Sequence, residues 1–158
     1  MDTQPLNINL DLSQVVTTIP LIADGQTPLV RLKSITQGDR DGVVVLKWEF
    51  ILVTPAQTQE GTEVRPGFPL FVNFALDQDW LVQKMTRFMD ALLGTGDTNN
   101  SKGRPARPRF NAETAAQMLG GEAYARVIVT RSKKSDYVGN DVASLIHKDD
   151  YEKHQQAA

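Results

Sequence analysis

The stretch GVVVLKWEFILV, residues Gly42–Val53, decides the reading of the fold. Val44, Leu46, Trp48, Phe50 and Leu52 alternate along it with Val43, Val45, Lys47, Glu49 and Ile51. Successive side chains of a strand point to opposite sides, so the first set makes an unbroken apolar face and the second a mixed one. Such a strand lies over a core and turns its mixed face to solvent or to a partner. Upstream, Leu29–Thr36 reads as another strand, joined to it by the turn Gly38-Asp39-Arg40-Asp41-Gly42. Downstream, the polar loop Thr54–Pro66 leads into a third strand, Gly67–Leu76 (GFPLFVNFAL).

Beyond that point the apolar period lengthens. Leu81, Met85, Phe88 and Leu92 recur at helical spacing, with Asp77 as the expected N-cap and Gly94 as the stop. Trp48 and Trp80 both fall within apolar stripes and are expected in the core. Thr95–Arg109 (TGDTNNSKGRPARPR) reads as irregular loop, and Asn111 caps a short helix over Ala112–Leu119 that ends at Gly120-Gly121. Strands at Glu122–Arg131 and Tyr137–Ile146 follow, joined by the basic turn Ser132–Asp136. Residues 1–27, with Leu6, Ile8, Leu10 and Leu12 at a period of two, read as an arm or an extra strand. Residues 148–158 read as a polar, frayed tail. Three strands, two helices and two strands do not alternate as βαβ units. They fit a mostly β fold over residues 28–147: a five-stranded antiparallel Greek-key barrel (OB-fold) with its helical insert between strands three and four.

Composition narrows the function. The chain has 158 residues, enough for one domain with its own core, and no cysteine, which excludes thiol catalysis, disulfides and thiolate zinc sites. The N-terminus lacks a basic and apolar leader pattern, and the apolar run Val43–Leu46 stops at Lys47. The expectation is a soluble cytoplasmic protein with no membrane contact. His147 and His154 are seven residues apart and match no metal motif, and Asp149-Asp150 reads as part of a charged tail. Phosphate-loop and nucleophile-elbow patterns are missing. The reading is therefore non-enzymatic, with no cofactor and no metal.

Charge is unevenly spread. With 17 basic and 19 acidic residues the formal charge is −2, yet Asn99–Lys134 holds eight basic residues against Glu113 and Glu122. That window is either a surface for an anionic partner or the complement of an acidic patch in the same fold. Lys102, Arg104, Arg107 and Arg109 alternate with prolines that keep the backbone extended, and arginine forks suit phosphate oxygens. Arg131, Lys133 and Lys134 stand beside Tyr137 at the last hairpin, the combination of cations and aromatic ring that single-stranded nucleic acid uses. By strand alternation Arg31 and Lys33 share a face, Lys47 points away from the core, and Phe71 lies with Asn73. One bulge would reverse such an assignment.

The order of elements, with Leu119-Gly120-Gly121 leading into the fourth strand and Tyr137-Val138-Gly139-Asn140-Asp141-Val142 in the fifth, resembles small phage-encoded OB-fold single-stranded DNA-binding proteins. The likeness runs over about Pro28–Ile146. It implies sequence-independent binding of single-stranded DNA, with RNA as a variant, during phage DNA replication or recombination in the host cytoplasm. Arg31, Lys33, Lys47, Lys102, Arg104, Arg107, Arg109, Arg131, Lys133 and Lys134 would contact backbone, and Phe71 and Tyr137 would stack bases. A homodimer or higher oligomer fits this reading. The alternative is a structural or protein-interaction module, such as an assembly factor or an inhibitor of a host protein, that docks through the basic loop.

Overall fold

The computed structural model describes residues 5–14, 19–97, 102–132 and 138–156. Its strands are β1 (Leu29–Arg40), β2 (Val43–Leu52), β3 (Ala56–Gln57), β4 (Glu63–Val64), β5 (Pro69–Ala75), β6 (Glu122–Arg131) and β7 (Val138–Ile146). The helices are α1 (Asp79–Leu93), α2 (Ala112–Met118) and α3 (Lys148–Gln156). The five long strands form one antiparallel sheet in the order β5-β2-β1-β6-β7, and β3 and β4 make a separate two-stranded ladder inside the loop after β2. The expected closed barrel is not formed. Among the described residues no ladder joins β5 to β7, and α1 packs against both of these edge strands instead.

β2 does what its pattern requires: Leu46, Trp48, Phe50 and Leu52 are buried. Val44 is partly exposed because β2 begins at the hairpin tip, outside the packed region. That hairpin is tighter than the sequence suggests. β1 continues to Arg40, which pairs with Val43, and only Asp41 and Gly42 form the turn. Both have positive φ, 53° and 82°, the type I′ geometry whose twist matches a two-residue hairpin. Asp39 secures it by accepting a bond from the Gly42 N–H at 2.9 Å.

Phe88 of α1 enters the core between Trp48, Phe50 and Phe74. The Phe74–Phe88 and Trp48–Phe74 rings meet edge to face with centroids 5.4 Å apart in each case, a favoured aromatic geometry. Trp80 does not join them and is 63% exposed. On a helix it lies about 100° from Leu81, off the line Leu81–Met85–Phe88 that faces the sheet. The N-cap of α1 is Gln78 rather than Asp77, and it caps without a side-chain bond. Gly94 ends the helix in the left-handed conformation, φ 69°, with its N–H on the Asp90 carbonyl. Asn111 caps α2 as expected, its side chain accepting from the Thr114 N–H at 2.9 Å.

The two terminal segments differ in character. Residues 5–14 form no strand, and Leu6, Ile8, Leu10 and Leu12 are all exposed. Lys148–Gln156, expected as a frayed tail, is helical. Its first turn is capped by His147, whose Nδ1 accepts from the Asp149 N–H at 3.1 Å. Between the arm and β1, the backbone of Ile22 is held at both ends by the Asn140 side chain, at 2.8 and 2.9 Å. Among the described residues no helix is long and apolar enough to cross a membrane.

Candidate nucleic-acid interface

The side of the sheet facing away from the core gathers the strand residues singled out by alternation. Register places Thr36, Lys47 and Asn73 in one row across β1, β2 and β5, and Ser34, Glu49 and Phe71 in the next. Arg31, Ile51 and Pro69 make a third row, extended onto β6 by Glu122. A register shift between Leu32 and Ser34 adds a residue to β1 at Lys33. Ahead of the bulge odd-numbered residues of β1 face outward, and after it even-numbered ones do, so Arg31 and Lys33 share their face with Ser34 and Thr36.

Phe71 is 42% exposed, high for a phenylalanine ring, and the Lys47 ammonium stands 4.5 Å from its centroid. That is a cation–π contact on an open surface. The neighbouring cations are partly neutralised. Lys33 pairs with Glu49 at 3.2 Å, and Arg31 grips one oxygen of Glu122 with Nε and Nη2 at 3.2 and 2.7 Å. Lys148 reaches the other Glu122 oxygen at 3.4 Å. Arg31 above all, then Lys148, hold the Glu122 carboxyl below the usual carboxylate range, against the opposing effect of its burial.

Further along β6, Tyr124 and Arg126 lie on this face, so the sheet surface continues past β1. Arg126 is exposed. Tyr124 is covered by Tyr151 of α3, ring on ring at 3.9 Å and 23°. Its phenol is pushed above the ordinary range chiefly by that burial. Arg126 was not among the residues assigned to the site from sequence. Its alternation with Glu122 and Tyr124 was visible, but not which side of the sheet that set would face.

The basic loop divides. Lys102 and Arg109 are exposed. Arg104 and Arg107 are paired with carboxylates of the same molecule. Arg104 pairs with Asp150 of α3 and is mostly buried. Arg107 donates through Nε and Nη2 to Asp90 of α1, at 2.9 and 2.7 Å, and the Thr95 hydroxyl completes the carboxylate's shell at 2.9 Å. Asp90 holds the Arg107 guanidinium even more firmly protonated than usual. The loop is pinned further by the Gly96 N–H on the Pro105 carbonyl, 2.9 Å, and by the Arg104 N–H on Asp97, 3.0 Å. So the acidic complement of this basic window is, for two of its arginines, the protein itself.

Arg131 is exposed at the end of β6. Lys133, Lys134 and Tyr137 lie outside the described residues. The face that can be built therefore holds Arg31, Lys33, Lys47 and Arg126 against Glu49 and Glu122, with one open aromatic ring. Among the described residues no group of three or more metal-ligating side chains comes together. Comparison of the chain with models of known protein families found no match, and comparison with curated proteins found none.

Proposed function

We propose that this is a non-enzymatic OB-type protein that binds single-stranded DNA through the outer face of its sheet. The observation that carries the reading is Phe71, an exposed ring with a lysine over it, on a sheet face whose cations outnumber its carboxylates. Bases stack on such rings whatever their identity, and cations beside them neutralise the backbone. The OB assignment is supported by the strand order, in which the third, second, first, fourth and fifth long strands are successive neighbours. It is supported too by α1, which lies in sequence between the third and fourth. In this reading Arg31, Lys33, Lys47 and Arg126 line the strands, Phe71 stacks a base, and Lys102, Arg109 and Arg131 extend the basic field. Lys133, Lys134 and Tyr137 keep the role that their place in the last hairpin suggests. Phage DNA replication or recombination in the host cytoplasm is the setting the family resemblance implies. The docking-module alternative relied on loop cations, two of which already have partners in α1 and α3.

The test is fluorescence anisotropy of a labelled oligo(dT) strand, compared with duplex DNA and with oligo(U), at low and moderate salt. Tight, salt-sensitive binding of the single strand over duplex is expected. With about five phosphates neutralised, log K should fall with a slope near −3.5 against log salt, at ~0.7 per phosphate. Phe71→Ala and Lys47→Glu should each cost about tenfold, a base–ring stack being worth about 1–3 kcal/mol. Arg87→Glu, on an exposed position of α1, should change little. No binding at low salt refutes the proposal, and equal losses at Lys47 and Arg87 refute the face.

A further inference from the structure

Among the described residues, an alternating apolar segment lies outside the sheet, and part of β1 has a strand neighbour on one side only. Residues 6–12 (LNINLDL) have strand alternation, ended by a turn in which Ser13 N–H and Oγ both bond to Asp11, at 3.0 and 2.7 Å. Leu6, Ile8, Leu10 and Leu12 are 64–89% exposed. Four apolar side chains in register along one side of a segment are costly to leave in water. The sheet edge belongs to β1. Its ladder with β6 covers only Leu29–Arg31, and Leu32 bonds to Gly120 and Gly121. From Ser34 to Arg40, β1 bonds to β2 on one side, and no described residue bonds to the other. That edge, SITQGDR, carries neither the lysine nor the proline that commonly protects an exposed strand, and its charges, Asp39 and Arg40, come only at the hairpin end.

We infer that the arm of one molecule adds as a strand to the β1 edge of a second copy, giving a symmetric dimer with two exchanged arms. Length and chemistry fit, since both segments have seven residues. An added strand would set Leu6, Ile8, Leu10 and Leu12 in line with the core side of β1, beside Ile35 and next to the exposed Leu119. It would set Asn7, Asn9 and Asp11 in line with Ser34 and Thr36, where hydrogen-bonding side chains pair across strands. Reach favours the second copy over the arm's own edge. The chain is anchored at Ile22 and tied along β6 from Gly25 onward, so Ser34 lies about 30 Å beyond Gly25 at ~3.3 Å per residue. Residues 13–21 span about 30 Å only when fully taut. A neighbouring molecule imposes no such stretch.

Sedimentation equilibrium of the full chain tests this, alongside hydrogen exchange. The wild type should be dimeric at micromolar concentration, Ile8→Asp/Leu10→Asp should be monomeric, and Leu119→Asp, at an exposed position, should weaken the dimer by tenfold or more. Backbone amides of residues 34–40 should be protected in the wild type and lose that protection in the arm variant, with the thermal transition of the body unchanged. A wild type that stays monomeric up to about 100 μM overturns the inference. So does a dimer that survives the arm variant, or an edge whose exchange the variant leaves unaltered. DNA binding enters none of these readouts, so this inference and the proposed function fail separately.

Discussion

Arg107→Ala probes the most fully bonded ion pair of the structure. Asp90 retains about 10% of its side-chain exposure, and Arg107 supplies most of the donors around it. Truncating the arginine leaves a buried carboxylate with the Thr95 hydroxyl as its remaining described side-chain donor. Breaking one side of a buried pair costs about 3–5 kcal/mol. Arg107 is itself 45% exposed, so water screens the pair and the cost falls to about 2–3 kcal/mol. For a domain of this size each kcal/mol moves the midpoint by about 2–4 °C, so the melt should drop by roughly 5–10 °C. Circular dichroism at 222 nm follows it, with Arg109→Ala, an exposed neighbour, as a control that should shift by about 1 °C or less. Gly96→Ala attacks the same pair from the other side. Its Cβ would stand 2.7 Å from Asp90 Oδ2 and 2.9 Å from Arg107 Nη2, at a φ of 70°. Two substitutions acting on one contact should not add, and the coupling should be about 0.5–3 kcal/mol. Arg107→Ala melting with Arg109→Ala would refute the reasoning, and so would strict additivity with Gly96→Ala.

Other expectations follow from the same geometry. Phe88→Ala, at the centre of the aromatic cluster, should cost about 3–5 kcal/mol in urea denaturation, whereas Trp80→Ala should cost under about 0.5 kcal/mol. Acid should loosen α3. The Glu122 carboxyl is held low in the folded protein, so its contribution is complete above its ordinary value of 4.5 and is lost as pH falls through the lower folded value. The effect should be about 1 kcal/mol or less, visible as a change in tyrosine near-UV dichroism that Glu122→Gln removes. Tyr151→Ala should expose Tyr124 and return its phenol toward pH 10, readable by absorbance titration at 295 nm.

β2 was readable because its period is strict and its inward residues are large. The helical stripe of α1 was readable for the same reason, and Trp80 was misplaced because one position on a helix is a third of a turn. The bulge at Lys33 leaves no mark in composition, yet it keeps Arg31 and Lys33 on the face of Lys47 and Phe71. The loop arginines look alike in sequence. What separates Arg104 and Arg107 from Lys102 and Arg109 is a carboxylate 46 or 17 residues away, brought close only by the fold. α3 has no apolar stripe to announce it, and its docking depends on Tyr151 and Asp150 finding partners elsewhere. Asp41-Gly42 was hidden among five turn-forming residues, of which only two are needed.

Asn140 joins the segment ahead of the first strand to the last strand, across 118 residues of sequence. β1, in the middle of the sheet, likewise waits for β6, which is made some ninety residues later. Closure of loops this long precedes any gain from the contacts, which slows folding relative to a domain built from neighbours. During synthesis, residues 29–32 of β1 can pair on the β2 side only until residues 120–124 have been made. A clamp between Ile22 and Asn140 that forms after the transition state predicts that Asn140→Ala speeds unfolding and leaves the refolding rate nearly unchanged, which stopped-flow kinetics would read.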